Sequence, residues 1–151
     1  MYWDSRGATG GYVVGDRSRS DPAAAIEFSE PPVILSCTIA SNSAGRGGGA
    51  LCRNDLPTFI DCIIWGNGDD LYGCSATYCC IEDLDRGKGN IHDDPMFVIG
   101  PFGEFYLHPE SPCIDAGSRS AEEAGLADRT TQADGAPDAG TVDMGYHYPI
   151  L

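Results

Sequence analysis

Two segments of the chain repeat one another at a spacing of 25 residues. They are PPVILSCTIASN at residues 31–42 and LPTFIDCIIWGN at residues 56–67, and they match at Pro32 and Pro57, Cys37 and Cys62, Ile39 and Ile64, and Asn42 and Asn67. Repeats of this length are typical of solenoids, propellers and arrays, in which each unit buries its apolar side chains against its neighbours. The repeat therefore predicts a stacked architecture.

The composition of the repeat excludes a helical unit. It contains Gly47-Gly48-Gly49 and a proline, which destabilise helix interiors, and short runs of β-branched residues, which favour strands. We expect each unit to close as one coil whose strands stack in parallel on the next coil, about 4.8 Å away, with right-handed connections. The predicted fold class is all-β: a short right-handed single-stranded parallel β-helix with three short strands per coil, coils of about 25 residues and an irregular C-terminal cap.

The alternation within each unit predicts which side chains stack inside the coils. The predicted interior positions are Ile26, Phe28, Ile34, Cys37 and Ile39, followed by Ala50, Cys52, Phe59, Cys62 and Ile64. Ile63 is expected to face outward. Cys80 is expected to extend the Cys37 ladder as one of several buried, mostly free thiols, because parallel side chains disfavour disulfide geometry. Asn42 and Asn67 are expected to bond to each other through their side-chain amides.

The chain divides into three predicted parts. Residues 1–23 form a polar, Gly-rich segment or partial coil, residues 24–83 form the coils, and residues 84–151 form a loop and the C-terminal cap. An open solenoid end exposes apolar interior and strand edges, so something must cover the last coil. No comparable cap is recognisable before the first coil, so we expect residues 1–30 to fray or self-associate unless residues 1–21 fold over that end.

Several motifs are shared with a known group of proteins. They are Pro32-x-Ile34-x-x-Cys37-Thr38-Ile39-x-x-Asn42, Gly47-Gly48-Gly49-Ala50-Leu51-Cys52, Pro57-x-x-x-x-Cys62-Ile63-Ile64-Trp65-Gly66-Asn67, and in the tail Asn90-Ile91-x-x-Asp94-Pro95-Met96-Phe97, residues 105–117 and Val142-Asp143-Met144-Gly145-Tyr146. Over roughly residues 24–148, the chain resembles the bacterial right-handed parallel β-helix proteins of the pectate-lyase-like superfamily. The resemblance implies the C-terminal portion of a secreted or cell-surface protein, with further coils upstream in a longer parent chain. It implies no reaction.

The negative charge of the chain argues against nucleic acids and anionic membranes as partners. The chain has 9 Lys and Arg against 23 Asp and Glu, a net charge of −14, and no basic cluster. Such a surface repels nucleic acids and anionic membranes. No apolar run approaches the ~20 residues that a spanning helix needs. We therefore expect neither a nucleic-acid nor a membrane partner.

The residue patterns predict no catalytic set. A β-helix lyase needs carboxylates for Ca²⁺ beside a basic residue on one exposed sheet, and the strand positions offer only Arg53 and Asp61. Adjacent carboxylates at residues 69–70 and 93–94 are expected to point in different directions, and Asp94, before Pro95, is expected to be a turn or strand-entry residue. The alternative is that the chain is the C-terminal fragment of a polysaccharide lyase or glycoside hydrolase whose catalytic coils lie upstream.

Two groups of side chains are candidate ligand sites. Trp65 and Tyr72 carry aromatic rings that stack on sugars when exposed, although a neighbouring loop can cover such rings instead. Asp134, Asp138 and Asp143 offer oxygen ligands for Ca²⁺, with a plain solvated loop as the alternative. No other cofactor is expected. The favoured function is a non-catalytic extracellular or cell-surface module with a structural or weak glycan-binding role, and its expected partner is a polysaccharide.

Overall fold

A computed structural model describes residues 32–52 and 57–151. The elements are β1 (Val33–Leu35), β2 (Thr38–Ala40), β3 (Ala50–Leu51), β4 (Thr58–Ile60), β5 (Ile63–Trp65), β6 (Leu71–Tyr72), β7 (Ser75–Thr77), β8 (Cys80–Ile81), β9 (Phe97–Gly100), β10 (Gly103–Leu107), α1 (Ala121–Ala124), β11 (Arg129–Thr130) and β12 (Tyr148–Pro149). The predictions for residues 1–31 and for Arg53, including Ile26 and Phe28, lie outside the described residues.

The first eight strands stack in parallel ladders. Their order is β1-β4-β7 in one ladder, β2-β5-β8 in a second and β3-β6 in a third. The first repeat returns to register after 25 residues, as the sequence predicts. The second returns after 17 residues. The sequence predicts a shortened last coil at this point, because Cys80 follows Cys62 by 18 residues, and the observed coil is one residue shorter than that. The connection between strands is shorter in the second repeat. The end of β3 and the start of β4 are seven residues apart in sequence, whereas the end of β6 and the start of β7 are three residues apart. The regular secondary structure of the described chain is mostly strand with little helix, and the parallel strands are stacked in order.

One ladder of interior side chains runs through all three repeats. Ile39 pairs in register with Ile64, and Ile64 with Ile81. The latter two are fully buried in a core with Phe59 and Leu71. The predicted adjacency of Ile39 and Ile64 is confirmed.

The thiol ladder differs by one residue from the prediction. Cys79, and not Cys80, follows Cys37 and Cys62 in the interior, and the Cys62 amide donates to the Cys79 sulfur at 3.4 Å. Because the second repeat is 17 residues long, Cys80 falls level with Ile63 instead. A change of one residue in register moves a side chain to the opposite face of a strand.

In each of the three repeats, the first two strands along the chain are joined at a corner by a residue in the left-handed conformation. Ser36, Asp61 and Tyr78 have φ of 47°, 56° and 52° and occupy equivalent places between β1 and β2, β4 and β5, and β7 and β8. Such backbone is disfavoured for residues other than glycine, by roughly 1–2 kcal/mol each. The stacked ladders on both sides hold the corners in place.

The asparagine stack is confirmed. The side-chain Nδ2 of Asn42 donates to Asn67 Oδ1 at 3.1 Å, and Asn67 Nδ2 donates to the Ile39 carbonyl at 2.9 Å. The left-handed residues at this turn are Ser41 and Gly66, one position earlier, with φ of 59° and 70°.

The tail, from residue 90 to residue 151, packs on the outward side of the β2-β5-β8 ladder. It contains an antiparallel β9–β10 hairpin, the antiparallel pair β11–β12 and the short helix α1. A second apolar cluster joins ladder and tail through Ile63, Cys80, Leu107, Cys113 and Met144. Ile63 lies opposite the Ile64 core, yet it is only 1% exposed because the tail covers it. Ile63 thus points outward from the coil, as predicted, but it faces the tail and not solvent.

Two local predictions for the tail have different outcomes. The sequence predicts short strands at residues 105–107 and 113–115. Residues 105–107 lie in β10, as expected, whereas residues 113–115 form a turn and not a strand. Ser111 explains this turn, because its hydroxyl donates to the Pro95 carbonyl at 2.7 Å and accepts the Cys113 amide at 3.2 Å. Helix α1 begins with a capping box between Ser120 and Glu123.

Asp61 anchors the tail to the ladders. It is fully buried, and its carboxylate accepts the Ser118 amide at 2.7 Å and the Ser118 hydroxyl at 2.9 Å. The Arg119 guanidinium lies 3.7 Å from the same carboxylate. The Gly145 amide donates to the Asp61 carbonyl at 2.9 Å, and a Cβ at Gly145 would lie 2.7 Å from Ile63 Cδ1. The expectation that Asp61 is an exposed strand residue is therefore wrong.

Cys52 and Cys74 form a disulfide that joins the end of β3 to the start of β7. The other cysteines of the described chain are free and buried: Cys37, Cys62, Cys79, Cys80 and Cys113. Mostly free thiols, as predicted, thus fill the interior. No helix in residues 32–52 and 57–151 is long and apolar enough to cross a membrane.

Candidate functional site

Trp65 ends β5 on the side that the tail covers. Its half-buried ring packs against the cluster around Ile63 and Met144. Part of the indole is therefore engaged by the protein itself, which was the alternative considered for an outward aromatic residue. Burial by the tail reduces the ring face that Trp65 offers to a sugar.

Tyr72 lies on a different ladder and is more open. It belongs to β6, is 46% exposed and pairs in register with the exposed Leu51. The Arg46 guanidinium lies 5.4 Å from the ring centre. A cation over the ring uses one aromatic face, so Tyr72 presents less stacking surface than its exposure alone indicates.

The three aspartates predicted to bind calcium have separate roles. Asp134 is exposed, and its carboxylate accepts the Ala136 amide at 3.0 Å. Asp138 and Asp143 are buried. No group of three or more His, Cys, Asp or Glu side chains in residues 32–52 and 57–151 is arranged to hold a metal ion. The calcium site receives no support from this geometry and stays a prediction.

Asp138 and His147 form a buried pair that the sequence spacing did not reveal. His147 Nε2 lies 2.7 Å from Asp138 Oδ2, and His147 Nδ1 lies 3.1 Å from the Gly145 carbonyl. Both ring nitrogens thus face oxygen atoms. These two contacts hold the imidazole ring in a fixed orientation. Asp138 also accepts the Asp143 amide at 3.1 Å, so the pair stabilises the tail.

Asp143 lies beside this pair. Its carboxylate accepts the Thr131 hydroxyl at 2.5 Å and the Asp115 amide at 2.8 Å. Burial raises the pKa of Asp143 above its ordinary value, and the hydrogen bonds from Thr131 and Asp115 oppose that shift without cancelling it. The network is closed to solvent, so it is suited to holding the tail together and not to contacting a substrate.

The adjacent carboxylates considered for hydrolysis also have structural roles. Asp70 is buried, and its Oδ1 accepts the backbone and side-chain N–H groups of Asn67 at 3.1 Å and 2.9 Å. Asp94 accepts the Met96 amide at 2.8 Å directly before β9, which agrees with the turn or strand-entry role expected of it. A general acid or base must reach its substrate. These engaged side chains therefore give no support to a catalytic pair in the described part of the chain.

A cleft lies between the β9–β10 turn and the β11–β12 pair. It encloses about 190 Å³ and is lined by Phe102, Gln132, Asp134, Tyr106 and the C-terminal residues 149–151. Phe102, at the tip of the hairpin, is 50% exposed. Tyr106 is buried and stacks on Tyr148 with 3.9 Å between ring centres, which gives the cleft a firm floor.

Polar groups line the same cleft. Among the described residues the Gln132 side-chain amide has no hydrogen-bond partner, and Asp134 uses only one carboxylate oxygen, to the Ala136 amide. Thr130 also lines the cleft, but its hydroxyl is engaged by Gln132 backbone groups. An amide and a carboxylate with free hydrogen-bonding capacity beside an open aromatic ring are the groups that recognise a sugar hydroxyl and a sugar ring face.

Sequence reasoning found only one member of this cleft, Asp134, and assigned it to calcium. A signal for Phe102 was present in Gly100-Pro101-Phe102-Gly103, because an aromatic residue at a tight turn cannot point into a strand-built core. Gln132 had no such signal, since its position depends on how the tail folds back. No family model, curated protein or solved structure matches the chain.

Proposed function

We propose that this chain is a non-catalytic carbohydrate-contact module built on a short right-handed parallel β-helix, with the cleft at Phe102 as its sugar site. The parallel ladders support the β-helix, because parallel connections are almost always right-handed. The Cys52–Cys74 disulfide supports an extracellular or cell-surface location, because such bonds persist in oxidising compartments.

The observation that carries the proposal is that the half-exposed Phe102 ring and the Gln132 side-chain amide, which has no partner among the described residues, share a cleft of about 190 Å³. The volume suits about one sugar ring and not a long chain. A small, open site gives weak binding, so we expect dissociation constants on the order of 1 mM. Asp134 and the net charge of −14 favour neutral sugars over uronic acids.

The test is an NMR titration of the ¹⁵N-labelled full chain with methyl glucoside, methyl galactoside, N-acetylglucosamine and glucuronate. We expect saturable shifts for at least one neutral sugar at amides around residues 100–106 and 130–135, and weaker shifts for glucuronate. Phe102→Ala and Gln132→Ala should each weaken binding by roughly tenfold. Ile99→Ala is the matched control, since Ile99 is 80% exposed on the same hairpin but does not line the cleft.

The proposal fails if no sugar gives saturable shifts up to about 50 mM, or if Phe102→Ala binds like the wild type. Shifts centred on Tyr72 or Trp65 would instead support the site predicted from their aromatic rings. Tyr72→Ala separates these outcomes, because Tyr72 lies on β6 and does not line the cleft.

A further inference from the structure

Two thiols meet where the tail packs on the ladders. Cys80 lies in β8 and Cys113 in the turn that follows Ser111, and neither has any exposed surface. Both belong to the cluster that contains Ile63 and Met144, and their side chains are neighbours within it. The contact therefore joins two parts of the chain that are distant in sequence.

The two side chains approach from facing segments. Cys80 points outward from its ladder, level with Ile63, and the tail lies over it. Cys113 is held in the tail, because its amide donates to Ser111 Oγ at 3.2 Å and its carbonyl accepts the Met144 amide at 2.9 Å. Facing side chains can satisfy disulfide geometry.

The other thiols of the described chain are arranged differently. Cys37, Cys62 and Cys79 stack in direct register within one interior, where parallel side chains disfavour a bond. The bonded pair is not in direct register, since extending the register of β3 and β6 by one residue puts Cys52 level with Gly73, one residue before Cys74. Cys80 and Cys113 are thus the remaining pair of suitable orientation among the described residues.

We propose that Cys80 and Cys113 form a second disulfide when the protein folds in an oxidising medium, and that this bond ties the tail to β8. Oxidised glutathione is a sufficient oxidant. One thiolate attacks it to give a mixed disulfide and one reduced glutathione, and the second cysteine then displaces the other glutathione. The two cysteines lose two protons and two electrons, and the glutathione disulfide is reduced to two thiols. The inference does not depend on the carbohydrate site.

The bond should form during folding and not after it. Attack requires a thiolate, and the neighbouring Cys113 thiol together with burial raises the pKa of Cys80. Buried thiols are also out of reach of glutathione while the tail is closed. A folded, reduced protein should therefore oxidise only as fast as its tail opens.

The experiment refolds the reduced full chain in a glutathione redox buffer, blocks free thiols with iodoacetamide and sequences the linked peptides by tandem mass spectrometry. We expect a Cys80–Cys113 link beside Cys52–Cys74. Cys80→Ala should remove this link, whereas Cys79→Ala, the matched control at the neighbouring buried position, should keep it. The Met144 amide, which donates to Cys113, should exchange on the order of a hundredfold more slowly in the oxidised protein.

The proposal is overturned if the refolded wild type contains Cys52–Cys74 while Cys80 and Cys113 are both alkylated. It is also overturned if Cys113 links mainly to Cys79. Neither measurement requires a variant to fold, because both are read on the wild-type chain.

Discussion

Ile63 and Ile64 show how one strand serves two cores. Ile64 points into the ladder interior with Phe59, and Ile63 points under the tail with Met144. Both are essentially inaccessible to solvent. Burial of adjacent residues removes the alternation that a one-sided strand would show. The two faces of β5 therefore contribute to stability in equal measure.

Replacing either isoleucine by alanine should destabilise the protein by about 2–5 kcal/mol, because each leaves a cavity in a packed core. Urea denaturation of both variants measures this. Val33→Ala, at an exposed position of β1, is the control and should change stability by less than about 0.5 kcal/mol. A cost for Ile63→Ala near that of the control would mean that the tail does not cover this face in solution.

Asp143 makes stability depend on pH in a direction set by its burial. Its pKa in the folded protein is raised above the ordinary value of 3.8, so the folded state holds the proton more tightly than the unfolded state. The stabilisation from the protonated form is complete below that ordinary value and is lost as pH rises through the raised pKa.

Asp143→Asn removes this titration. The stability of the variant relative to the wild type should therefore increase as pH rises from about 3.8 upward. Urea denaturation at several pH values measures the difference, with Asp134→Asn as the control at an exposed carboxylate. A difference that decreases with rising pH would show that the hydrogen bonds from Thr131 and Asp115 outweigh desolvation.

The Cys52–Cys74 disulfide links β3 and β7, two short strands that belong to different ladders. It spans 22 residues of sequence and closes the whole of the second repeat. The strands that it joins have only two or three residues each, so they make few ladder hydrogen bonds of their own. The covalent link keeps β3 and β7 close in the unfolded chain as well.

Replacing both cysteines by serine should cost about 3 kcal/mol, since a loop of this size loses roughly that much conformational freedom when it is closed. In the Cys80→Ala variant, which lacks the proposed second disulfide, excess dithiothreitol should lower the free energy of unfolding by a similar amount. The Cys37→Ser variant, which breaks no disulfide, controls for the loss of a buried sulfur. An unchanged midpoint on reduction would contradict a stabilising role for this bond.

The net charge of −14 acts on the molecule as a whole. Several carboxylates are crowded at residues 69–70 and 83–85, and burial together with repulsion from Asp83, Asp69 and Asp70 raises the pKa of Asp85. Like charges in a compact state repel more strongly than in an extended chain. The folded protein is therefore destabilised by its own charge at low ionic strength.

Raising NaCl from about 10 to 200 mM shortens the screening length from roughly 30 Å to below 10 Å, so the protein should become more stable over this range. The urea midpoint at fixed pH measures this. KCl at the same ionic strength should give the same change, which controls for effects specific to one salt. A midpoint that falls with salt would show that ion pairs such as Arg119–Asp61 outweigh the repulsion.

The sequence by itself determined the ladders and the asparagine stack. The contacts of Ile39 with Ile64 and of Asn42 with Asn67 join equivalent positions one repeat apart, so the period of 25 residues encodes them directly. The alternation of side chains then assigned Ile64 to the interior. Contacts of this kind depend only on the spacing of residues along the chain, so they can be predicted without knowing the rest of the fold.

Only the tertiary structure decided where the tail lies. Tyr146 donates its amide to Thr38 Oγ1 across 108 residues, and Asp61 holds Ser118 across 57, with no periodic signal for either contact. The burial of Ile63 and the cleft at Phe102 follow from that placement. The structure also decided the length of the shortened last coil. It has 17 residues and not the 18 that separate Cys62 from Cys80, so Cys79 stands where Cys80 was expected.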